Sequence, residues 1–216
     1  MGYLARRPQA RYISFSSGAA YCGDFAEPAS DESAAVVPIN AITPTSHYGI
    51  AKLASEAKHR AAAEFSIVDF RQFGLFSRYA DLNAAYFMNA VYNAIAGNKR
   101  LTVGPENIMR DYIAPDGMAS LHVAVLDAEP PNDVFDLYSA APVTKFDALE
   151  GLSARYGLKY DVLEASISRS ATGVKPNYYS TNRHAASVGY EPSRTSLRTL
   201  TEEIDALLEL RESDRS

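Results

Sequence analysis

The sequence predicts an α/β protein organised on a parallel sheet, and three observations lead to that fold class. Residues Arg11–Ser17 and 66–73 are short runs rich in apolar, β-branched and aromatic side chains, which is typical of strands. The alanine-rich stretch between them, residues 46–65, favours a helix by propensity. A strand–helix–strand order places the two strands parallel in one sheet, with a right-handed crossover between them.

The first third of the chain is expected to follow this order of elements. Residues 2–10 have the pattern of a helix end broken by a proline, and the first strand follows at once. Residues 24–45 are predicted to form a loop, because prolines and turn-forming residues punctuate them. Thr45 or Ser46 is a suitable N-cap for the helix over 46–65.

Seven further elements are predicted after the second strand. Apolar residues at helical spacing, together with capping and breaking residues, favour helices, whereas short apolar runs before turns favour strands. Thr144 would cap one of these helices and Gly157 would end it. The predicted helices cover 81–96, 115–128, 144–156 and 195–210, and the predicted strands cover 101–103, 134–139 and 159–163.

Composition argues against several classes of function. The 216 residues carry a net charge of −5 with a pI near 5.4, which argues against binding to nucleic acids or to anionic membranes. No stretch approaches the ~18 consecutive apolar residues of a membrane span, and no His, Cys and Asp residues have the spacing of a metal site. The single cysteine, Cys22, excludes an internal disulfide and fits a reducing compartment, so a cytoplasmic protein is expected.

The helix over 46–65 opens with a pair of side chains that suggests chemistry. Tyr48 and Lys52 are four residues apart, so on a helix they lie on one face, one turn apart. An ammonium group within ~4–6 Å favours the phenolate form of a tyrosine. Such a pair can exchange a proton with a substrate hydroxyl near neutral pH. Alone it is weak evidence, because a chain with 14 tyrosines can place one near a lysine on a solvated helix face by chance.

Four motifs in a fixed order strengthen this interpretation. The first strand ends in Ser-Ser-Gly-Ala-Ala-Tyr at 16–21, and the helix with Tyr48 and Lys52 follows a polar loop. Residues 70–76 are Phe-Arg-Gln-Phe-Gly-Leu-Phe, and residues 109–113 are Met-Arg-Asp-Tyr-Ile. Together these motifs resemble the extended short-chain dehydrogenase/reductase family, which includes nucleotide-sugar epimerases and dehydratases. The resemblance covers nearly the whole chain.

The resemblance implies an NAD- or NADP-dependent reaction on a nucleoside-diphosphate sugar. In the family's pattern Tyr48 is the general acid and base for a sugar hydroxyl, Lys52 holds the nicotinamide ribose, and Ser17 hydrogen-bonds the same hydroxyl. Ser17 also fits an ordinary strand-end turn, and Ser16 takes its place if the register shifts by one. Phe73 matches the residue that contacts the nicotinamide, and core packing explains it equally well.

Two basic residues match the family's contacts to the substrate diphosphate. Arg110 stands in the Arg-Asp-Tyr-Ile motif, and a guanidinium can bind two phosphate oxygens at once. An ion pair with Asp111 or Asp116 is the alternative for this arginine. Lys175 is a second basic candidate near the end of the chain. Gly74 departs from the asparagine that is frequent in the family, which removes one side-chain contact to the diphosphate.

The sequence lacks one family feature, the Gly-x-Gly-x-x-Gly loop that lets the backbone approach the cofactor pyrophosphate. In the family roughly 80–100 residues, about one mononucleotide-binding half, precede the serine-bearing strand. We therefore expect a partial Rossmann-like sheet, made of its C-terminal strands only, and a small mixed α/β substrate-binding domain. Residues 1–75 would belong to the NAD(P)-binding domain and residues 76–216 mostly to the substrate domain, with strand 134–139 returning to the sheet.

The missing loop leaves several interpretations open. The chain is a truncated, wrongly started or split enzyme, a non-catalytic binding relative that lost its cofactor site, or an inactive fragment. It is expected to bind NAD or NADP weakly, since the contacts to adenosine and pyrophosphate lie in the missing half. The apolar edge of its first strand would then associate with a second copy, or with a partner that supplies that half.

Overall fold

The computed structural model of the protein describes residues 2–37, 39–129, 131–164 and 175–213. In these ranges the helices are α1 (Gly2–Arg6), α2 (His47–Arg60), α3 (Phe87–Gly97), α4 (Pro115–Asp127), α5 (Lys145–Tyr156) and α6 (Ser196–Ser213). The strands are β1 (Arg11–Ser17), β2 (Ser66–Gln72), β3 (Arg100–Val103), β4 (Met109–Arg110), β5 (Asp133–Asp136), β6 (Val143–Thr144), β7 (Lys159–Val162) and β8 (Asn177–Tyr178).

The main sheet is parallel and has the order β1-β2-β5, which confirms the predicted fold class. Ser17 pairs with Gln72 where β1 and β2 end, and Arg71 pairs with Asp136 at the end of β5. Because the strands are parallel, their carboxyl ends meet at one edge of the sheet. This edge therefore collects a hydroxyl, a guanidinium and a carboxylate from three separate parts of the chain.

Alternate residues of β2 face opposite sides of the sheet, and one helix covers each side. Val68 and Phe70 are fully buried in one hydrophobic cluster with Leu121 of α4. Asp69 and Arg71 point the other way and bond to side chains of α2. The sheet is thus apolar towards α4 and polar towards α2, the helix that carries Tyr48 and Lys52.

A second hydrophobic core lies between α3, α5 and α6. Its fully buried side chains include Val91, Leu149, Leu152, Leu200 and Ile204. Around it, β3 pairs with β7 in parallel, and β6, β4 and β8 form a small mixed sheet. The predicted division into domains at residue 75 stays a prediction.

Helix α2 ends at Arg60, before the predicted residue 65. The Nδ2 group of Asn132 donates to the carbonyls of His59, Ala62 and Phe65 at 3.1, 2.8 and 3.0 Å. A helix leaves its last carbonyl groups without partners inside the helix, and Asn132 binds one of them, that of His59, together with two carbonyls of the turns that follow. Since that side chain comes from the loop before β5, this contact cannot be predicted from the sequence around Arg60.

Helix α3 begins at Phe87, well after the predicted residue 81. Tyr86 is extended, with φ −100° and ψ 146°, and therefore stands outside the helix. Asn89 donates from Nδ2 to the carbonyls of Asp81 and Ala84, both at 3.0 Å, which holds the preceding residues in turns. The helical spacing of apolar residues in these turns is therefore misleading.

A buried carboxylate fastens α6 to the loop after β2. Glu203 accepts hydrogen bonds from the backbone N–H and the guanidinium of Arg78, at 2.7, 3.0 and 2.8 Å. Burial by itself would raise the pKa of Glu203, but the bonds from Arg78 outweigh it, so that pKa is lowered. A carboxyl whose pKa is lowered by folding stabilises the protein above its unfolded pKa, and this contribution is lost as the pH falls.

We expect Glu203→Gln to reduce the loss of stability on acidification, because the variant has no carboxylate to protonate. The measurement is the free energy of unfolding in urea at about pH 7 and about pH 3. Glu209→Gln changes an exposed residue of the same helix and should keep the parent's pH dependence. An equal loss in Glu203→Gln and in the parent would contradict the assignment.

Candidate active site

The end of β1 places the hydroxyl of Ser17 at the carboxyl edge of the sheet. Ser17 is buried, and its Oγ accepts a hydrogen bond from the Ala19 N–H at 3.2 Å, which caps the 3₁₀ turn Gly18–Tyr21. The same Oγ lies 3.1 Å from Tyr178 Oη. The serine is thus held by its own turn and by a phenol from the far end of the chain.

Tyr48 and Lys52 lie together on α2, beside this turn. Lys52 Nζ is 5.7 Å from the centre of the Tyr48 ring and donates to the Phe15 carbonyl at 2.7 Å. The helix can approach the turn because residue 49 is glycine: a Cβ on Gly49 would lie 2.4 Å from the Ala19 carbonyl oxygen. The close approach sets the exposed Tyr48 phenol on the same side of the sheet edge as Ser17.

Ser17 and Tyr48 line a cleft of about 750 Å³. Phe73 and Arg110 line it as well, so four of the predicted site residues face one space. Lys175 lines an adjoining pocket of about 290 Å³, which Tyr48 also borders. The fold therefore brings residues that are far apart in the sequence together around Tyr48.

Phe73 is both a core residue and part of the cleft wall. Its ring is 8% exposed, and it lies in a cluster with the rings of Tyr21, Phe25 and Tyr178. A Cβ on Gly18 would lie 2.3 Å from the Phe73 ring, so the small residue after Ser17 makes room for it. The predicted contact with a nicotinamide stays a prediction.

The structure explains why position 74 is a glycine, which the sequence alone does not show. A Cβ at this position would lie 2.5 Å from the Asp111 carbonyl oxygen, and the Gly74 carbonyl accepts from the Ile113 N–H at 3.0 Å. The chain after β2 therefore runs directly against the segment that carries Arg110. A larger residue, such as the asparagine noted for the family, would require the two segments to separate.

Arg110 does not form the ion pair that was its alternative explanation. Its Nη1 donates to the carbonyls of Met109 and Lys175, both at 2.7 Å. Among the described residues no carboxylate pairs with it, and burial lowers the pKa of its guanidinium. Burial and the charge of Arg110 likewise lower the pKa of Lys175. Two neighbouring cations without carboxylate partners in the described ranges make the space around them favourable for an anion.

The two acidic residues that could have paired with Arg110, Asp111 and Asp116, bind other groups. Asp111 is 1% exposed and accepts from the Ser139 N–H and the Ser196 hydroxyl, at 2.9 and 2.8 Å. Asp116 pairs with the guanidinium of Arg194. Both carboxylates are therefore committed to other elements of the fold, and neither serves as a counter-ion for the guanidinium of Arg110.

Sequence reasoning missed a buried ion-pair network beneath the site. Arg71 donates to Glu56 of α2 from Nε and Nη2, at 3.1 and 2.6 Å, and its Nη1 lies 3.6 Å from Asp136 Oδ1. Glu56 also accepts from the hydroxyl of Ser16. One signal could have found Glu56: it continues the spacing of four from Tyr48 and Lys52 along the same helix.

The network also includes the tyrosine of the first motif. Asp136 accepts from Tyr21 Oη at 2.8 Å and from Ser180 Oγ at 2.5 Å. Burial raises the pKa of Asp136, and burial together with the charge of Asp136 raises the pKa of Tyr21 to about 12. Burial alone would lower the pKa of Arg71, but the bonds from Glu56 and the charge of Asp136 outweigh it and raise that pKa. The phenol of Tyr21 therefore keeps its proton and the guanidinium of Arg71 keeps its charge near neutral pH, and their bonds to the two carboxylates hold the site in place.

The described residues provide neither a metal site nor a membrane-spanning helix. Within the described ranges, no three His, Cys, Asp or Glu side chains are grouped as ligands for a metal ion. In that part of the chain, no helix has both the length and the apolar character needed to cross a membrane. Burial raises the pKa of the Cys22 thiol, which makes its nucleophilic thiolate scarcer at neutral pH.

The sequence pattern of the NAD dependent epimerase/dehydratase family matches residues 2–137, more than half of the chain. The chain belongs to this family. The resemblance carried by the four motifs is thereby confirmed. No curated protein sequence matches the chain.

Several solved structures have the same fold as this family member. UDP-glucuronic acid 4-epimerase from Bacillus cereus is 20% identical, with a TM-score of 0.72 over 93% of this chain and 62% of its own. UDP-glucose 4-epimerase from Thermotoga maritima is 16% identical, with a TM-score of 0.74 over 93% of this chain and 64% of its own. dTDP-glucose 4,6-dehydratase from Bacillus anthracis is 14% identical, with a TM-score of 0.73 over 98% of this chain and 66% of its own. The chain thus spans less than two thirds of the length of each.

Arg71→Met should lower the free energy of unfolding by ~3–5 kcal/mol, because it leaves Glu56 and Asp136 buried without their counter-ion. Chemical denaturation at neutral pH measures the change. Arg100→Met removes an exposed pair with Asp161 and should have a far smaller effect, since surface ion pairs contribute little. A loss in Arg71→Met no larger than in this control would show that the buried network is dispensable.

Proposed function

We propose that the chain binds a nucleoside-diphosphate sugar in the cleft and acts on it as an NAD- or NADP-dependent epimerase or dehydratase. The observation that carries this proposal is the partly buried guanidinium of Arg110, which has no carboxylate partner among the described residues. A cation in such a place is unfavourable unless an anion pairs with it. A diphosphate meets this need through charge-assisted hydrogen bonds, and Lys175 adds a second positive charge.

Ser17, Tyr48 and Lys52 would carry the proton transfer. Tyr48 Oη takes the proton of a sugar hydroxyl and returns it, while Ser17 Oγ hydrogen-bonds the same oxygen. The Lys52 ammonium uses one N–H for the Phe15 carbonyl and keeps two donors for a ribose. With Tyr48 and Phe73 it would hold the nicotinamide, which supplies and accepts the hydride when bound.

The solved structures support the choice of ligand. The Bacillus cereus protein was solved with UDP-glucuronic acid and NAD, and the Thermotoga maritima protein with UDP-glucose. Both share the fold of this chain, which makes uridine diphosphate and its sugars the first ligands to test. A non-catalytic relative that keeps the nucleotide site is the alternative, and binding and turnover measured separately distinguish the two.

Arg110→Ala should weaken the binding of a nucleoside diphosphate by ~1.5–3 kcal/mol, the range for hydrogen bonds to charged groups. Isothermal calorimetry with UDP, CDP, GDP and TDP measures the effect and ranks the bases. Arg100→Ala removes an exposed arginine of β3 and should bind like the parent. Equal affinity of Arg110→Ala and the parent for every nucleotide would reject the diphosphate site.

Tyr48→Phe should lower turnover of a UDP-sugar by ~10²–10⁴-fold, the usual contribution of general acid–base catalysis. Nucleotide affinity should stay unchanged, because only a hydroxyl is lost. Product formation followed by NMR measures turnover, with Tyr79→Phe, which alters an exposed tyrosine, as the control. Parent-like turnover in Tyr48→Phe would exclude its catalytic role. Nucleotide binding without any turnover in the parent, even with NAD or NADP in large excess, would identify the non-catalytic alternative.

A further inference from the structure

Tyr178 enters the candidate site from the last quarter of the chain. Its Oη lies 3.1 Å from Ser17 Oγ, and its ring packs against Phe25 and Phe73 at centroid distances of 4.8 and 5.2 Å. The backbone around it is tied to the loop after β1, because the Asn177 N–H donates to the Phe25 carbonyl at 3.0 Å. The position of the Tyr178 phenol is therefore fixed from two sides.

The hydrogen-bonding capacity of Ser17 is small and can be counted. A serine hydroxyl has one proton to donate and two lone pairs that accept. The Ala19 N–H occupies one lone pair, at 3.2 Å. The contact with Tyr178 uses either the second lone pair of Ser17 or its only proton. In the first case Ser17 can donate to a substrate, and in the second case it can only accept.

The phenol of Tyr178 is suited to be the donor in this contact. A phenol is more acidic than an aliphatic hydroxyl, so of these two oxygens 3.1 Å apart the phenol is the better donor and the serine the better acceptor. Burial raises the pKa of Tyr178, so this donor keeps its proton at neutral pH. If Tyr178 donates, both lone pairs of Ser17 are filled, and its own proton is directed to whatever binds in the cleft. If Tyr178 accepts, the proton of Ser17 is spent inside the protein, and a substrate oxygen meets no donor there.

We propose that Tyr178 is a positioning residue of the site: its phenol donates to Ser17 Oγ and so makes Ser17 a hydrogen-bond donor towards the substrate oxygen. The proposal rests on the function proposed above. In that reaction the sugar hydroxyl gives its proton to Tyr48, and negative charge develops on its oxygen. A donor that is already oriented stabilises this charge without reorganisation, whereas a serine that accepts would not.

The ring of Tyr178 has a separate structural task, which allows a clean substitution. The guanidinium carbon of Arg110 lies 5.9 Å and Lys175 Nζ lies 4.7 Å from the centre of this ring. Cation–π contacts of this kind require the ring and not the hydroxyl. Tyr178→Phe therefore removes the bond to Ser17 and keeps the packing, while Tyr179→Phe removes a hydroxyl from the neighbouring residue as a matched control.

The first test is independent of turnover and reads the direction of the bond in the full chain labelled with ¹³Cζ-tyrosine. A phenol that donates has some phenolate character, so its Cζ resonance is displaced towards the phenolate position. The resonance of Tyr178 is assigned as the one that disappears from the spectrum of Tyr178→Phe. At neutral pH we expect Ser17→Ala to move it away from the phenolate position. A movement towards the phenolate position, or no movement, would overturn the proposal.

The second test separates positioning from structure. With a UDP-sugar and NAD, Tyr178→Phe should lower kcat by roughly 3–10-fold with an unchanged KM, the effect of one neutral hydrogen bond made in the transition state. Tyr179→Phe should match the parent. An unchanged kcat in Tyr178→Phe, or a rise in KM alone, would overturn the proposal. If the parent has no turnover, the proposed reaction fails, while the Tyr178 resonance still decides the direction of the bond.

Discussion

The arrangement of the site depends on one interaction, the ion pairing of the Arg71 guanidinium with two buried carboxylates. It joins Glu56 of α2 to Asp136 of β5 across the polar face of the sheet. Each carboxylate is almost fully buried, and each would be a costly charge without the arginine. Because Glu56 lies on the same helix as Tyr48, the pair fixes the helix over the edge that carries Ser17. The geometry of the phenol and the serine therefore follows from an ion pair that touches neither.

Close backbone approach is the second constraint on this edge. Gly49 lets α2 rest on the turn after β1, and Gly74 lets the chain after β2 run against the segment of Arg110. In both places a Cβ would meet a backbone carbonyl oxygen, which cannot rotate away as a side chain can. Ser17, Tyr48 and Arg110 consequently line one cleft, and Lys175 lines the pocket that adjoins it.

The bounds of a helix could be predicted closely where capping residues lie at its ends. They could not be predicted where the end depends on a residue that is distant in sequence. Thr144 accepts from the Asp147 N–H, and Gly157 takes a positive φ of 68°, so the two ends of α5 are encoded where they occur. The end of α2 depends instead on Asn132, which lies 73 residues from the first carbonyl it binds. Gly74 shows that prediction of the site has the same limit. The sequence shows that this glycine departs from the family pattern, but it does not show the carbonyl oxygen that a larger residue would meet.

The sequence by itself determined the family, through the four motifs in their order. It also determined the parallel sheet and the pairing of Tyr48 with Lys52, because strand periodicity and the helical repeat act over a few residues. Tertiary structure alone decided that Ser17 meets Tyr178, which lies 161 residues away. It also decided that Arg110 does not pair with Asp111, although the two are neighbours in sequence. The carboxylate of Asp111 is turned towards Ser196. Neighbours in sequence can point in opposite directions, and only the folded chain shows which groups a side chain faces.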